Sequence, residues 1–263
     1  MTPAQALATL SARAAMYDLR DRAARARSAA DLRKMFFALL PAVAPDLFIE
    51  AGAHDGAGSR RARKLLPKAR VIACEANPHN HARFAKAHDF DALNVEYRLT
   101  ALSDADGPIT FKVLTADQHS RQGVHSGRSS LMLRDDPKAE YESVTVPGLR
   151  LDSLAQDGTR AALWVDVEGA AQKVLAGADA LLDKTALMMI EVESAPFWQG
   201  QWLVHDVMAH LMDKGLVPVA RDFERKHQFN ILFLSPQAMT LPDVLPVLEM
   251  QQSLARFRAD TGA

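Results

Sequence analysis

The fold of this 263-residue chain is indicated by the stretch Leu47-Phe-Ile-Glu-Ala-Gly-Ala-His-Asp-Gly56. The apolar run Leu47–Ile49 is typical of a buried strand, and Gly52 and Gly56 form a turn before a helical segment. Glycine has no Cβ, so a ligand can approach the backbone of such a turn closely. The spacing differs from the G-x-G-x-x-G of dinucleotide-binding proteins, and no P-loop follows. The stretch therefore predicts a strand–turn–helix unit that binds a ligand, with a plain structural turn as the alternative.

The same alternation of strand and helix continues downstream. Apolar runs at Leu47–Ile49, Val71–Cys74, Val95–Leu102, Leu163–Val167 and Leu187–Val192 alternate with helix-like segments at about 58–66, 77–88, 169–182 and 199–214. Such a pattern predicts an α/β fold whose parallel sheet is buried on both faces. Near the end, Leu216–Ala220 and Phe229–Leu234 are joined by too few residues for a crossover helix. These two runs predict an antiparallel hairpin at one edge of the sheet.

Other segments lie outside this alternation. We expect an N-terminal helical extension at residues 1–44, in which Asp31 caps a second helix, and Pro41 and Pro45 end helical structure. The main domain is expected at 45–235, followed by a helical tail at 236–263.

An insertion interrupts the main domain before the fourth parallel strand. Ile109–Leu114 has the pattern of a strand, and His119–Glu142 has the composition of a long polar loop. Loops of that length in compact domains are usually functional or disordered.

Composition and charge narrow the class of protein. The chain has 31 basic and 32 acidic residues, one cysteine, and no apolar run long enough for a transmembrane helix. We therefore expect a soluble cytoplasmic protein without a membrane span. The balanced charge argues against binding to nucleic acid or an anionic membrane, since either needs a basic excess on the chain or on one face. Residues 1–34 carry seven basic and three acidic residues. They are interpreted as solvated helix packing on the main domain, or alternatively as a homo-oligomer or partner surface.

Polar residues follow the second and third predicted strands. Glu75 ends the second strand, where a carboxylate can accept hydrogen bonds from both hydroxyls of a ribose. Ser103 and Asp104 follow the third strand, where they either meet the edge of an adenine or form a turn. Glu50 and Glu75 around a glycine turn suggest a nucleoside-containing cofactor that requires no phosphate neutralisation.

Further acids follow the fourth and fifth strands. Asp166 and Glu168 stand at the carboxyl edge of the sheet, where open α/β folds bind ligands. Alternation places Glu191 and Glu193 on one side of the next strand, so we expect at least one of them to be functional or paired. Asp166 and Glu168 are candidates for a general base or for ligands of a hard cation. His205 is a second base candidate, with a structural or exposed helical histidine as the alternative.

Six motifs, in order between about residues 46 and 235, resemble those of the FkbM family of S-adenosylmethionine-dependent methyltransferases. They are Glu50-Ala-Gly-Ala-His-Asp-Gly56, Glu75-Ala-Asn-Pro78, Ala101-Leu-Ser-Asp104, Leu151-Asp-Ser-Leu154, Asp166-Val-Glu-Gly-Ala-Ala171 and Val174-Leu-Ala-Gly-Ala178. Ala171 stands where the family motif has a second glutamate, so no role is transferred to that position.

The resemblance implies a fold and a cofactor site. The fold would be a class I methyltransferase, Rossmann-like, with seven mostly parallel strands in the order 3-2-1-4-5-7-6. The implied contacts to S-adenosylmethionine are Glu50, Gly52, Ala53, His54 and Gly56 at the methionine end, Glu75 and Ala76 at the ribose, Leu102, Ser103 and Asp104 around the adenine, and Ser130 in a Ser-Ser-Leu segment near the active site.

The resemblance also implies an activity. We expect methylation of a hydroxyl on a sugar, a glycan or a small metabolite, with base candidates Asp166, Glu168, Glu193 and His205. Asp166 and Glu193 would be the ligands if a magnesium ion takes part. A non-catalytic protein that binds S-adenosylmethionine or S-adenosylhomocysteine is the alternative. The glycine spacing disfavours a third class, the NAD-dependent oxidoreductases.

Overall fold

The computed structural model describes residues 1–118, 127–155 and 159–249. It begins with helix α1 (Pro3–Ser11), a short 3₁₀ turn (Ala12–Met16) and the long helix α2 (Arg22–Val43).

Helix α2 begins earlier than predicted, and it ends between the two predicted prolines. The Asp21 side chain caps it by accepting hydrogen bonds from the backbone N–H groups of Ala23 and Ala24. The predicted cap, Asp31, lies buried within the helix and accepts a hydrogen bond from the Tyr17 hydroxyl. Pro41 lies in the last turn, and the helix ends two residues later at Val43, before its left-handed cap Ala44 and Pro45.

The rest of the chain alternates strands and helices, numbered in chain order. The strands are β1 (Leu47–Ala51), β2 (Arg70–Glu75), β3 (Glu96–Leu99), β4 (Ala101–Leu102), β5 (Gly107–Ala116), β6 (Glu140–Leu149), β7 (Ala161–Val165), β8 (Thr185–Glu193), β9 (Val217–Arg221) and β10 (Gln228–Leu234). The helices are α3 (Ala57–Leu65), α4 (Pro78–Ala87), α5 (Ala171–Ala176), α6 (Asp179–Leu182), α7 (Val204–Asp213) and α8 (Pro236–Met239).

Seven of these strands form the central sheet, in the order β3-β2-β1-β7-β8-β10-β9. Numbered within this sheet alone, the order is 3-2-1-4-5-7-6. Only β10 runs against the others, because it pairs antiparallel with both β8 and β9. The class I methyltransferase-like α/β fold with a mostly parallel sheet is therefore confirmed, and so is the antiparallel hairpin at its edge.

A second sheet of three strands, β4-β6-β5, was not predicted. The run Val95–Leu102 is two strands instead of one, and the second of them, β4, belongs to this sheet. The predicted strand Ile109–Leu114 is the middle of β5, which pairs antiparallel with β6. The end of the predicted loop His119–Glu142 is the start of β6, whereas residues 119–126 lie outside the described residues.

Helices cover both faces of the central sheet. Ile49, Leu163 and Ile190 face the side that holds α5 and α7, and Phe48 faces the side where α2 and α3 pack. Phe36 of α2 is fully buried 6.3 Å from the Phe48 ring, so α2 contributes directly to the core. The boundaries of the three predicted segments stay a prediction, and residues 250–263 of the predicted tail lie outside the described residues. Within the described part of the chain, no helix combines the length and apolarity needed to cross a membrane.

Candidate active site

A cavity of about 390 Å³ lies at the carboxyl edge of the central sheet. It is centred on β1 and β7, which are neighbours in the sheet. From β1 the chain continues toward β2 on one side, and from β7 it continues toward β8 on the other. A crevice opens between two connections that diverge in this way. Seven predicted site residues line it: Gly52, His54, Glu75, Ala76, Leu102, Asp166 and Glu168. The lining residues that were not predicted are Cys74, Asn77, Thr100, Ala101, Phe111, Gly127, Ser129, Leu131, Val167 and Ala170.

Gly52 lies where two strand ends meet. Its φ is +78°, and a Cβ built on it would lie 1.7 Å from the backbone oxygen of Asp166. The N–H groups of Gly52 and Ala53 both donate to the carbonyl of Cys74, at 3.0 and 2.9 Å. The turn therefore requires glycine because backbone from β1, β2 and β7 converges there.

His54 is held on both sides of its backbone. It has a left-handed φ of +49°, its N–H donates to Glu75 Oε2 at 2.7 Å, and its carbonyl accepts from the Tyr97 hydroxyl. Its ring lies 4.7 Å from that of Phe84. The buried Nε2 of His54 has no hydrogen-bond partner among the described residues. His54 thus lines the cavity as a residue, whereas this ring nitrogen is enclosed by protein atoms.

Glu75, at the end of β2, holds the backbone of the same turn through its carboxylate. It is buried, and this burial raises the pKa of its carboxyl. Oε2 accepts from the N–H of His54, while Oε1 accepts from the N–H of Asn77 at 2.8 Å and from Asn80 Nδ2 at 3.3 Å. Since a carboxylate offers about four acceptor positions, roughly one remains for a ligand.

Three residues predicted at the methionine end do not line the cavity. Glu50 is buried, and it accepts hydrogen bonds from the Ser59 N–H at 2.7 Å and the Ser59 hydroxyl at 2.6 Å. It therefore ties β1 to α3, and burial raises the pKa of its carboxyl to about 7. Ala53 is buried in the turn, and Gly56 is the residue before α3.

The residues predicted around an adenine divide in the same way. Leu102 lines the cavity, but Ser103 is buried and its hydroxyl donates to Asp104 at 2.9 Å. Asp104 is exposed, 3.9 Å from Lys173 Nζ. Ser130 does not line the cavity, and its hydroxyl donates instead to the carbonyl of Glu168 at 2.7 Å. The neighbouring Ser129 takes the lining position.

Two carboxyls, Asp166 and Glu168, line the cavity beside the glycine turn. Carboxyl oxygens of Asp166, Glu168 and Glu191 lie within 4.8 Å of one another. Register explains this grouping: Val165 pairs with Ile190, so the next residues, Asp166 and Glu191, stand side by side.

The three carboxyls perturb one another. Burial raises the pKa of Asp166, and a hydrogen bond with Glu191 partly offsets that effect. Burial and the charges of Asp166 and Glu193 raise the pKa of Glu168 to about 8. Burial, Asp166 and Glu168 together raise the pKa of Glu191 well above its ordinary value. Like charges this close cannot all be ionised, so protons remain in the cluster near neutral pH.

The other two predicted catalytic residues are not brought to the cavity. Glu193 is two residues, or about 6.6 Å, further along β8 than Glu191, and its buried carboxylate accepts from Gln201 Nε2 at 3.1 Å. His205 is exposed in the first turn of α7. In the part of the chain that the structure describes, the acids grouped closely enough for a metal are Asp166, Glu168 and Glu191, whereas the prediction named Asp166 and Glu193. The predicted magnesium ion gains no support from the surroundings of Glu193.

Comparison with known proteins identifies the family. The model of the methyltransferase FkbM domain matches residues 50–233, well over half of the chain. The chain belongs to the FkbM methyltransferase family. The resemblance drawn from the six motifs is thus confirmed, and the family implies S-adenosylmethionine as the methyl donor.

Individual proteins similar to this chain share low sequence identity with it. The 2-O-methyltransferase NoeI of Sinorhizobium fredii (strain NBRC 101917 / NGR234) is 28% identical over 168 residues, which cover 60% of this chain and 68% of NoeI. A solved FkbM methyltransferase from Methylobacillus flagellatus KT has a TM-score of 0.41 and 10% identity, over 71% of this chain and 43% of that one. The chain thus matches less than half the length of that protein. A putative S-adenosylmethionine-dependent methyltransferase from Listeria monocytogenes has a TM-score of 0.46 and 8% identity, over 80% and 99% of the two chains.

Proposed function

We propose that this FkbM methyltransferase transfers the methyl group of S-adenosylmethionine to a hydroxyl of a sugar, a glycan or a small metabolite. The observation that carries the proposal is one cavity with two different walls. One wall is the glycine turn with His54 and Glu75, and the other holds the carboxyls of Asp166 and Glu168. The relative NoeI, named a 2-O-methyltransferase, supports a hydroxyl as the acceptor group.

The first wall fits S-adenosylmethionine. A volume of about 390 Å³ is within the range of pockets that enclose a small molecule. The remaining acceptor position of Glu75 is available to one ribose hydroxyl. Buried carboxyls next to the turn favour a cationic ligand. S-adenosylmethionine supplies an electrophilic methyl group on a positively charged sulfur.

The second wall provides the base. A hydroxyl becomes a strong nucleophile when a side chain removes its proton as the carbon–oxygen bond forms. Glu168 lines the cavity, and a pKa of about 8 makes it a better proton acceptor than an exposed carboxylate. We assign the base to Glu168, whereas Asp166, hydrogen-bonded with Glu191, holds the acceptor in line with the methyl group.

Ligand binding and product formation test the proposal separately. Calorimetry should detect binding of S-adenosylhomocysteine and no binding of NAD. Transfer of labelled methyl groups should then be screened over free sugars, lipid-linked glycans and small hydroxylated metabolites. Binding without any labelled product would favour the non-catalytic alternative, and absence of S-adenosylhomocysteine binding would refute the proposal.

Glu75→Gln is expected to weaken S-adenosylhomocysteine binding at least about tenfold. A glutamine has one acceptor oxygen, so the N–H of either His54 or Asn77 would face an NH₂ group. Calorimetric titration measures the change. Glu96→Gln, at the far end of the neighbouring strand β3, is the matched control and should leave the affinity unchanged. Equal affinities for wild type and Glu75→Gln would remove Glu75 from the site.

Tyr97→Phe is expected to weaken the same binding about fivefold to tenfold. The variant keeps the ring, which stacks on Phe90 at 4.2 Å, and removes only the hydroxyl that donates to the carbonyl of His54. Tyr17→Phe removes a hydroxyl that donates to Asp31, a residue outside the cavity lining, and serves as the control. If both variants bind equally well, Tyr97 has no positioning role.

A further inference from the structure

Basic residues are concentrated on two adjacent helices. The chain has 31 basic and 32 acidic residues, yet residues 1–70 contain 13 basic and 6 acidic ones. Helices α2 and α3 pack against each other and together carry nine basic residues and one acidic residue, Asp31. Asp31 is buried, so it contributes little to the outer surface.

The outer surfaces of these helices form one basic face. On α2, every charged side chain in the exposed class is basic, and alanines and one proline occupy the other exposed positions. On α3 and just after it, the exposed charged side chains are again basic. The exposed basic residues are Arg22, Arg27, Arg33, Lys34, Arg61, Lys64 and Lys68, and we call this set the basic face.

The two halves of the basic face are joined. The Arg61 guanidinium lies 4.2 Å from the centre of the Phe37 ring, so α3 presents its charge directly beside α2. On α2, Arg33 stands one helical turn before Phe37 and points to the same side.

Few acids oppose this charge. Among the described residues, only Lys34 of the basic face forms an ion pair, a 3.7 Å contact with Asp31. The other six cations have no carboxylate within 4.0 Å in that part of the chain. The remaining basic residues of the two helices differ in this respect: Arg25 and Arg63 donate to backbone carbonyls, and Arg60 pairs with Asp55.

We propose that the basic face docks the protein on an anionic phospholipid bilayer. Helix α2 alone is about 33 Å long. Its exposed positions are basic residues with alanines and one proline between them, which suits an extended anionic surface better than a pocket for one ligand. Residues 71–263 carry an excess of acidic residues, so the molecule is electrically polarised and would turn this face toward negative charge.

The burial of the aromatic side chains of α2 argues against binding of single-stranded nucleic acid. Binding of single strands uses exposed aromatic rings on which bases stack. The aromatic side chains of α2, Phe36 and Phe37, are buried. The cavity is at the carboxyl edge of the sheet, whereas α2 packs on one face of that sheet, so docking would leave the cavity open.

Vesicle sedimentation tests the proposal. The full chain is mixed with vesicles of pure phosphatidylcholine, or with vesicles in which phosphatidylglycerol is about one third of the lipid. Binding is expected only to the anionic vesicles at low salt, and it should be lost at about 0.5 M salt. Arg33→Glu/Lys64→Glu should lower the affinity at least about twentyfold, since each cation near the surface contributes about fivefold.

The control variant is Lys138→Glu/Lys184→Glu, which changes net charge equally but outside the basic face. It should retain most of the binding, and both variants should keep the thermal midpoint and the S-adenosylhomocysteine affinity of the wild type. Failure to bind anionic vesicles at low salt, or equal losses in the two double variants, would overturn the proposal. So would tighter binding to duplex DNA with the same dependence on Arg33 and Lys64, because the face would then belong to nucleic acid.

Discussion

Replacement of Gly52 by alanine is expected to abolish S-adenosylhomocysteine binding and to lower the free energy of unfolding by at least about 3 kcal/mol. The new Cβ would lie 1.7 Å from the backbone oxygen of Asp166. Neither partner can move aside as a flexible side chain would, because both belong to backbone at the ends of β1 and β7. The strand ends must separate, and that separation displaces the turn and the Asp166 carboxyl together.

A substitution at a second glycine, Gly215, distinguishes the effect of this clash from that of backbone strain alone. Gly215 has a similar φ of +83°, but a Cβ there would have nothing within 4 Å. Gly215→Ala should therefore cost only about 1–3 kcal/mol and leave ligand binding intact. Urea unfolding and calorimetric titration of both variants measure the difference. Equal destabilisation by the two substitutions would show that the approach of the two backbones does not matter.

The central sheet could be predicted because its strands are buried on both faces and leave continuous apolar runs. Leu187–Val192 is an example, with every residue but Glu191 buried. In the second sheet, β5 leaves a strand pattern at Ile109–Leu114, but β6 does not. β6 is largely exposed over its first half, and its buried residues are Val146 and Gly148 in the second half. Its pairing with β5 also joins residues separated by a long segment, which no local pattern reveals.

Site residues at the carboxyl ends of strands could be predicted from the sequence. Residues whose side-chain direction decides whether they reach the cavity were harder to predict. Asp166 and Glu75 reach the cavity because the carboxyl ends of parallel strands meet at one edge. Glu50 was also expected at the ligand, whereas alternation along β1 puts it on the same face as Phe48, toward α3. His205 is exposed and lies outside the buried stripe of α7, which consists of Val204, Val207, Met208 and Leu211.

Other parts of the site depend on long-range register. Phe111 and Leu131 line the cavity from β5 and from the segment before β6, and sequence spacing alone cannot align them with β1. The pairing of Asp166 with Glu191 depends on the offset between β7 and β8. A shift of two residues would have brought Glu193 beside Asp166, and these two acids were the predicted magnesium ligands.

Glu168→Gln is expected to lower kcat by a factor of about 10² to 10⁴ and to leave the S-adenosylhomocysteine affinity within about twofold. Glutamine preserves the size of the side chain and the left-handed backbone, whose φ is +50° in the wild type. The carbonyl of this residue can still accept the Ser130 hydroxyl. Only proton acceptance is lost. Labelled methyl transfer at saturating substrate measures kcat, and calorimetry measures the affinity.

The pH dependence gives the sharper test, because a base works only when it is unprotonated. With a pKa of about 8, Glu168 is about one tenth ionised at pH 7, so the wild-type rate should rise through pH 8 to a plateau. Glu168→Gln should lose this rise. Glu193→Gln, the matched control, should retain kcat but shift the rise to lower pH, because the charge of Glu193 helps to raise the pKa of Glu168. The opposite result would identify Glu193 as the base: Glu193→Gln would abolish turnover, and Glu168→Gln would keep the wild-type rate and the rise with pH.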